Sequence, residues 1–158
     1  CALPIFHVSL VAGDQLRLIV APKGFGSENM SALKMLKPAE GVQGIKDFVV
    51  KTVSEAGGNP CPPIVIGVGI GGTVEKAALL AKRAVLREIG STNPKPHLAE
   101  LEAELLELVN LTGVGPQGFG GTQTALALFV ETYPTHIAGL PVAVNINCHV
   151  ARHVEATL

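Results

Sequence analysis

Apolar positions recur along this chain with two different spacings, and the switches between them mark out its elements. Ile5–Val11 and Leu16–Ala21 are rich in β-branched and aliphatic residues and are separated by Ala12-Gly13-Asp14, which predicts an N-terminal β-hairpin. Val42, Ile45, Phe48, Val49 and Val53 fall near a 3.6-residue period and predict an amphipathic helix, ended by Gly57-Gly58-Asn59-Pro60. The all-apolar Ile64-Val65-Ile66 predicts a buried strand. Thr73 is placed to cap a helix from about Val74 to about Ile89, closed by Gly90 and by Pro94 and Pro96. A further helix from about Leu98 to Val109 turns Leu98, Leu101, Leu105 and Leu108 inward, with Glu100, Glu102, Glu104 and Glu107 on a solvated outer face. Thr122–Val130 fits a strand or a helix, whereas Val142–Ile146 predicts a buried strand leading into Cys148. The fold class expected is α/β: a mixed β-sheet with an N-terminal hairpin, packed by helices, as a single domain over residues 1–158.

Composition narrows the kinds of partner. The chain has 158 residues with a hydrophobic fraction of 47%, enough to bury a substantial core. Lysine plus arginine is 12 and aspartate plus glutamate is 13, so there is no basic stripe for nucleic acid and no acidic tail. A small molecule or another protein is the expected partner. No apolar run approaches the roughly 20 residues that span a bilayer, and CALPIFHVSL lacks the basic start and long apolar core of a secretory signal. The expectation is no membrane association and a cytoplasmic location. Cys1, Cys61 and Cys148 are odd in number and far apart, which points to reduced thiols or metal ligands and away from a disulfide framework. The chain opens on cysteine and enters a strand-like pattern within a few residues, so a segment upstream is expected.

Five segments carry candidate chemistry. Cys61 lies between Asn59-Pro60 and Pro62-Pro63, where three prolines stiffen the turn at the entrance to the Ile64–Ile66 strand. Cys148 ends a strand and precedes His149-Val150-Ala151-Arg152-His153, read as the first turn of a short helix whose amides and dipole favour a thiolate. Each cysteine could equally be a small buried hydrophobe, and the absence of C-x-x-C pairs leaves the metal unidentified. His149 and His153, four apart, would share a helical face suited to zinc, or be exposed histidines. Gly67, Gly69 and Gly72 satisfy G-x-G-x-x-G between a strand and a helix, which allows a nucleotide site; the candidate ribose acid Glu88 falls at the end of the same helix, which weighs against one. Close backbone packing, or helix amides facing an anion, are the other readings. Lys23-Gly24-Phe25-Gly26-Ser27 forms a loop in which Gly24 and Gly26 can turn amides toward a carboxylate. His136 lies beside a proline turn in a largely apolar stretch, where a satisfied core histidine is the plainer reading.

Taken together, the runs VAPKGFGSENMSALKMLKP, NPCPPIVIGVGIGGTVEKAALLAKRA, GVGPQGFGGTQTALAL and PTHIAGLPVAVNINCHVARH resemble the α subunit, or α-type domain, of the iron-dependent class I fumarase and L(+)-tartrate dehydratase family. The resemblance covers nearly the whole chain and implies the C-terminal portion of such a subunit. It implies a [4Fe-4S] cluster held by three cysteines, of which Cys61 and Cys148 match two. The third family cysteine lies in an upstream helical segment that Cys1 does not match. His136 matches an active-site histidine that contacts the bound acid, and Lys23, Gly24 and Gly26 match a loop whose backbone approaches the substrate. The implied partners are a β subunit, which carries the base and further cationic carboxylate clamps, and a small dicarboxylic or hydroxy acid. Reversible hydration of fumarate to malate is the activity implied, with tartrate dehydration the alternative. The chain by itself is expected to lack hydratase activity and to self-associate through uncovered apolar surface.

Overall fold

The computed structural model describes residues 4–150 and 152–158. Its elements are β1 (Arg17–Val20), α1 (Phe25–Glu28), β2 (Ala32–Leu36), α2 (Gly41–Ala56), β3 (Ile64–Gly71), α3 (Val74–Ala84), α4 (Pro96–Asn110), β4 (Ala125–Tyr133), β5 (Leu140–Asn147) and β6 (Val154–Thr157), with short 3-10 turns at Pro38–Glu40 and Pro116–Gly118. Four strands form one mixed sheet in the order β2-β5-β3-β4. β3 and β4 are parallel, whereas β5 runs antiparallel to both β3 and β2. The α/β class is therefore as expected. Cys1 lies outside the described residues.

Alternation along β3 divides its side chains between two helical layers. Ile64, Ile66 and Val68 face the larger core with Ile45, Val49 and Val53 of α2 and Leu98, Leu105 and Val109 of α4. Val65 points the other way, against Ala84 of α3. Each fully buried aliphatic side chain of this kind contributes about 1.5–3 kcal/mol. On the α3 side β3 carries glycine instead of a side chain. A Cβ on Gly67 would lie 2.2 Å from the Ala81 carbonyl oxygen, and one on Gly69 would lie 2.0 Å from that of Ala77. These two glycines let the α3 backbone rest directly on the sheet.

The remaining departures from the sequence reading have local causes. No hairpin forms at the N-terminus: Ile5–Val11 is irregular and exposed, and β1 pairs with β6 from the far end of the chain, Val20 opposite Val154 and Arg17 opposite Thr157. Gly67 and Gly69 lie within β3, so the strand runs five residues past Ile66 and the expected glycine loop after it is largely strand. After Cys148 the chain makes a turn at His149 and Val150; among the described residues the expected short helix is not formed before β6, and His149 and His153 share no helical face. α3 stops at Ala84, five residues early, and the turn that follows carries Arg87 to Glu102 of α4. On α4 the buried positions are Leu98, Glu102, Leu105 and Val109. Glu102 is thus a core carboxylate, bound by Arg87 Nη1 at 2.5 Å, Asn93 Nδ2 at 2.8 Å and the Val130 amide at 2.8 Å. Among the described residues no helix is long and apolar enough to cross a membrane.

Candidate active site at the cysteine end of the sheet

Antiparallel pairing of β3 with β5 sets Val65 opposite Asn147, which puts the residues before β3 and those after β5 at one end of the sheet. Cys61 and Cys148 meet there. Cys61 is exposed and Cys148 half-buried, and both are free thiols. The Cys61 carbonyl accepts hydrogen bonds from the His149 amide at 3.5 Å and from His149 Nδ1 at 3.0 Å. Cys61 itself has φ +56°, a left-handed conformation unusual for a residue with a side chain. Gln117 shares that conformation at φ +54° and binds the next carbonyl, that of Pro62, through its amide at 2.9 Å and its Nε2 at 3.0 Å.

The Lys23–Ser27 segment, expected as a loop, is loop only at Lys23 and Gly24 and enters the helical turn α1 at Phe25; it reaches the same end. Lys23 Nζ donates to the Ile146 carbonyl at 2.6 Å, two residues before Cys148, and pairs with Glu28 at 2.7 Å. Glu28 also pairs with Lys82 of α3 and accepts from Asn145 Nδ2 at 3.1 Å, and Asn145 further donates to Ser31 Oγ at 2.9 Å. Partial burial works against the Glu28 carboxylate, but the hydrogen bonds from Lys23, Lys82 and Asn145 outweigh it and bring its pKa down to about 2. Burial pulls the Lys23 ammonium below its ordinary range, with Glu28 opposing the shift. The Asn145 side-chain oxygen is buried without a partner. Gly24 has nothing within 4 Å of where a Cβ would stand, and Gly26 makes ordinary contact at 3.7 Å with the Asn59 carbonyl. The glycine loop therefore lies against the turn that carries Cys61 and leaves its own backbone approachable.

His136 is elsewhere. It lies on the loop between β4 and β5, where Ala138 N donates to its Nδ1 at 3.2 Å and the neighbouring Thr135 hydroxyl donates to the Gly72 carbonyl at 3.0 Å. Gly72 follows the far end of β3, so His136 and the cysteines stand at opposite ends of an eight-residue strand. At about 3.3 Å per residue that separation exceeds roughly 20 Å. His136 lines a shallow cavity of about 330 Å³ with Pro38, Val42, Ile45, Ile137 and Leu140. Among the described residues no group of three or more histidine, cysteine or acidic side chains is arranged to hold a metal.

A cysteine-bearing proline turn, a lysine–glycine loop and a strand-end cysteine thus converge on one end of the sheet. The family model for fumarate hydratase (Fumerase) matches residues 1–157. The chain belongs to that family. Among its relatives, a protein of Methanocaldococcus jannaschii provisionally named L(+)-tartrate dehydratase subunit alpha is 54% identical over 134 residues, 85% of this chain and 47% of that protein. The L(+)-tartrate dehydratase subunit alpha of Escherichia coli strain UTI89 is 40% identical over 136 residues, 86% of this chain and 45% of that protein. The corresponding subunit of Escherichia coli strain K12 is 39% identical over 135 residues, with 85% and 45% covered. This Fumerase-family chain spans slightly under half the length of the curated relatives it matches.

The functional neighbourhood is wider than motif reading reached. Glu28, Lys82, Asn145 and Gln117 each acquire their contacts from partners remote in sequence. All four lie inside the runs that carry the family resemblance, but no spacing within a run marks any of them out.

Proposed function

We propose that this chain forms the α-type part of an iron–sulfur hydro-lyase that reversibly hydrates fumarate to malate. The observation that carries this reading is the convergence of Cys61 and Cys148 at one end of the sheet beside the Lys23 loop, in a Fumerase-family chain. Two soft thiolate donors suit two of the three protein ligands of a [4Fe-4S] cluster, with the third ligand coming from outside the described residues. When bound, such a cluster supplies a Lewis-acidic iron with an open position for the substrate. The rest of the chemistry at this end belongs to the chain. Lys23, fixed by the Ile146 carbonyl and Glu28, offers a preorganised positive charge to a substrate carboxylate whose negative charge grows as the neighbouring proton leaves. Gly24 and Gly26 let backbone amides approach the same carboxylate without a side chain intervening. The base and the remaining carboxylate clamps are assigned to a β partner.

The test is coexpression with a Fumerase-family β subunit, anaerobic iron–sulfide reconstitution and a substrate screen. Fumarate hydration and a brown chromophore are expected in the complex, both lost in the Cys61→Ser/Cys148→Ser pair. Hydration by the reconstituted chain alone would sink the assignment of the base to the partner. Dehydration of L(+)-tartrate is the second reading, favoured by the names carried by the relatives; the same screen decides between the two acids.

His136 requires a second chain under this proposal, because more than about 20 Å of sheet separates it from its own cysteines. It is assigned to an acid bound at the cysteine end of another copy. Mixing inactive His136→Ala and Cys61→Ser complexes should then restore part of the activity; no recovery after demonstrated subunit exchange removes His136 from the site.

A further inference from the structure

We propose that Gln117 and His149 are positioning residues that clamp the Cys61 turn from two sides and so preset its thiol relative to Cys148. This deepens the hydro-lyase reading and rests on it for what the two thiols are for; the contacts themselves are independent of it.

The argument begins with what the turn lacks. Pro60, Pro62 and Pro63 have no amide hydrogen, so the turn can tie itself down through few donors, chiefly Cys61 N to the Gly58 carbonyl at 3.0 Å. Its remaining handles are carbonyl oxygens, and two consecutive ones are each held twice. The Cys61 oxygen is bound by the amide and Nδ1 of His149, and the Pro62 oxygen by the amide and Nε2 of Gln117.

A carbonyl only accepts, so His149 Nδ1 carries the hydrogen of that bond. His149 directly follows Cys148. One ring therefore links the turn bearing the first thiol to the strand end bearing the second. On the other side the Gln117 loop seats flush against the turn: a Cβ on Gly58 would lie 2.9 Å from the Gln117 oxygen, and one on Gly118 would lie 2.6 Å from the Gly58 Cα.

Cys61 and Gln117 are also the two residues other than glycine with positive φ among those described. Such a conformation is strained for a residue with a side chain and persists where surrounding contacts over-determine it. Here the two strained residues face each other across Pro62. A turn that only had to reverse the chain would have no need of strain on both sides. A turn that must hold a thiol at one angle does.

The test uses the reduced, metal-free chain in a Cys1→Ser background, so that Cys61 and Cys148 are the thiols present. Cd²⁺ is titrated in and the ultraviolet absorbance of cadmium–thiolate bonds is followed. One ion bound through both thiols is expected, with the absorbance per ion roughly halved by Cys61→Ser. Loss of preorganisation should weaken binding about tenfold in His149→Ala and in Gln117→Gly. His149→Asn, whose amide nitrogen stands where Nδ1 stood and donates to the same carbonyl, should return affinity to within about threefold of the parent. That rescue separates a positioning role from loss of an imidazole ligand, and circular dichroism identifies any variant that has merely unfolded. Should His149→Ala not fold, the Gln117→Gly and His149→Asn results decide. Parent-like affinity in the folded loss variants, failure of His149→Asn to rescue, or binding through fewer than two thiols in the parent overturns the assignment. Iron–sulfide reconstitution of the complex with its β partner reads the hydro-lyase proposal separately: cadmium behaviour as expected without an iron–sulfur chromophore would defeat that proposal and leave the clamp standing.

Discussion

Glu28 shows how a single carboxylate organises the cysteine end. It holds Lys23 and Lys82 at once and takes a third bond from Asn145, so Lys23 cannot leave the Ile146 carbonyl without breaking a four-membered network. Its folded pKa of about 2 lies below the ordinary 4.5. The stabilisation it brings is therefore complete above pH 4.5 and is lost as pH falls toward 2. Urea unfolding across that window should show the wild type losing on the order of 1–2 kcal/mol that Glu28→Gln does not lose. Parallel pH profiles for the two chains would show that the network does not operate in solution. Glu102 is a more deeply buried carboxylate than Glu28, but its partners Arg87, Asn93 and the Val130 amide tie α4 to β4 and make no contact with the cysteine end.

At the scale of elements, the close seating of α3 on β3 is the contact most sensitive to sequence. Gly69 is filled by backbone: a methyl group there meets the Ala77 carbonyl oxygen at 2.0 Å, and a helix carbonyl cannot yield as a flexible side chain can. Gly69→Ala should cost at least about 2 kcal/mol through overpacking. Gly24→Ala, at φ −71° with open space around the new methyl, should change stability by less than about 0.5 kcal/mol. Equal urea midpoints for the two variants would contradict this account of the G-x-G run. The same contact explains why a nucleotide fingerprint can occur without a nucleotide loop, since Gly67 and Gly69 are used by the helix packed over them. α2, by contrast, follows its apolar periodicity closely, because Ile45, Val49 and Val53 meet a sheet of aliphatic side chains.

For the whole molecule, the β1–β6 ribbon stands out. All eight of its residues are exposed, including Leu18, Ile19, Val20 and Val154. Two strands alone are marginal in water, and this ribbon adds to the exposed apolar residues Ile5, Phe6, Val8, Leu10 and Val11 nearby in the chain. Concentration-dependent self-association of the isolated chain is the expected result in sedimentation velocity. It should be reduced several-fold by Leu18→Thr/Ile19→Thr, which keeps strand propensity while removing apolar surface. A monomer at all concentrations, or an unchanged association in the double variant, would show that the ribbon is not the adhesive surface.

What the sequence determined by itself was whatever depends on neighbours within a few residues. The 3.6-residue spacing of Ile45, Val49 and Val53 specified α2, the apolar runs specified the interiors of β3 and β5, and the proline-flanked Cys61 and strand-end Cys148 were visible as candidate thiols. Tertiary structure decided everything that depends on distant pairing. β1 found its partner in β6, across nearly the whole chain, because backbone hydrogen bonds carry no residue code that distinguishes a near strand from a far one. Glu102 looked like a surface residue until Arg87 and Asn93 were brought to it, and the offset of one position along α4 was enough to turn it inward. The antiparallel register of β3 and β5 gathered the two cysteines at one end of the sheet, and the parallel register of β3 and β4 carried His136 to the other. Motif residues lie on a line in sequence; strand direction alone decides which of them meet.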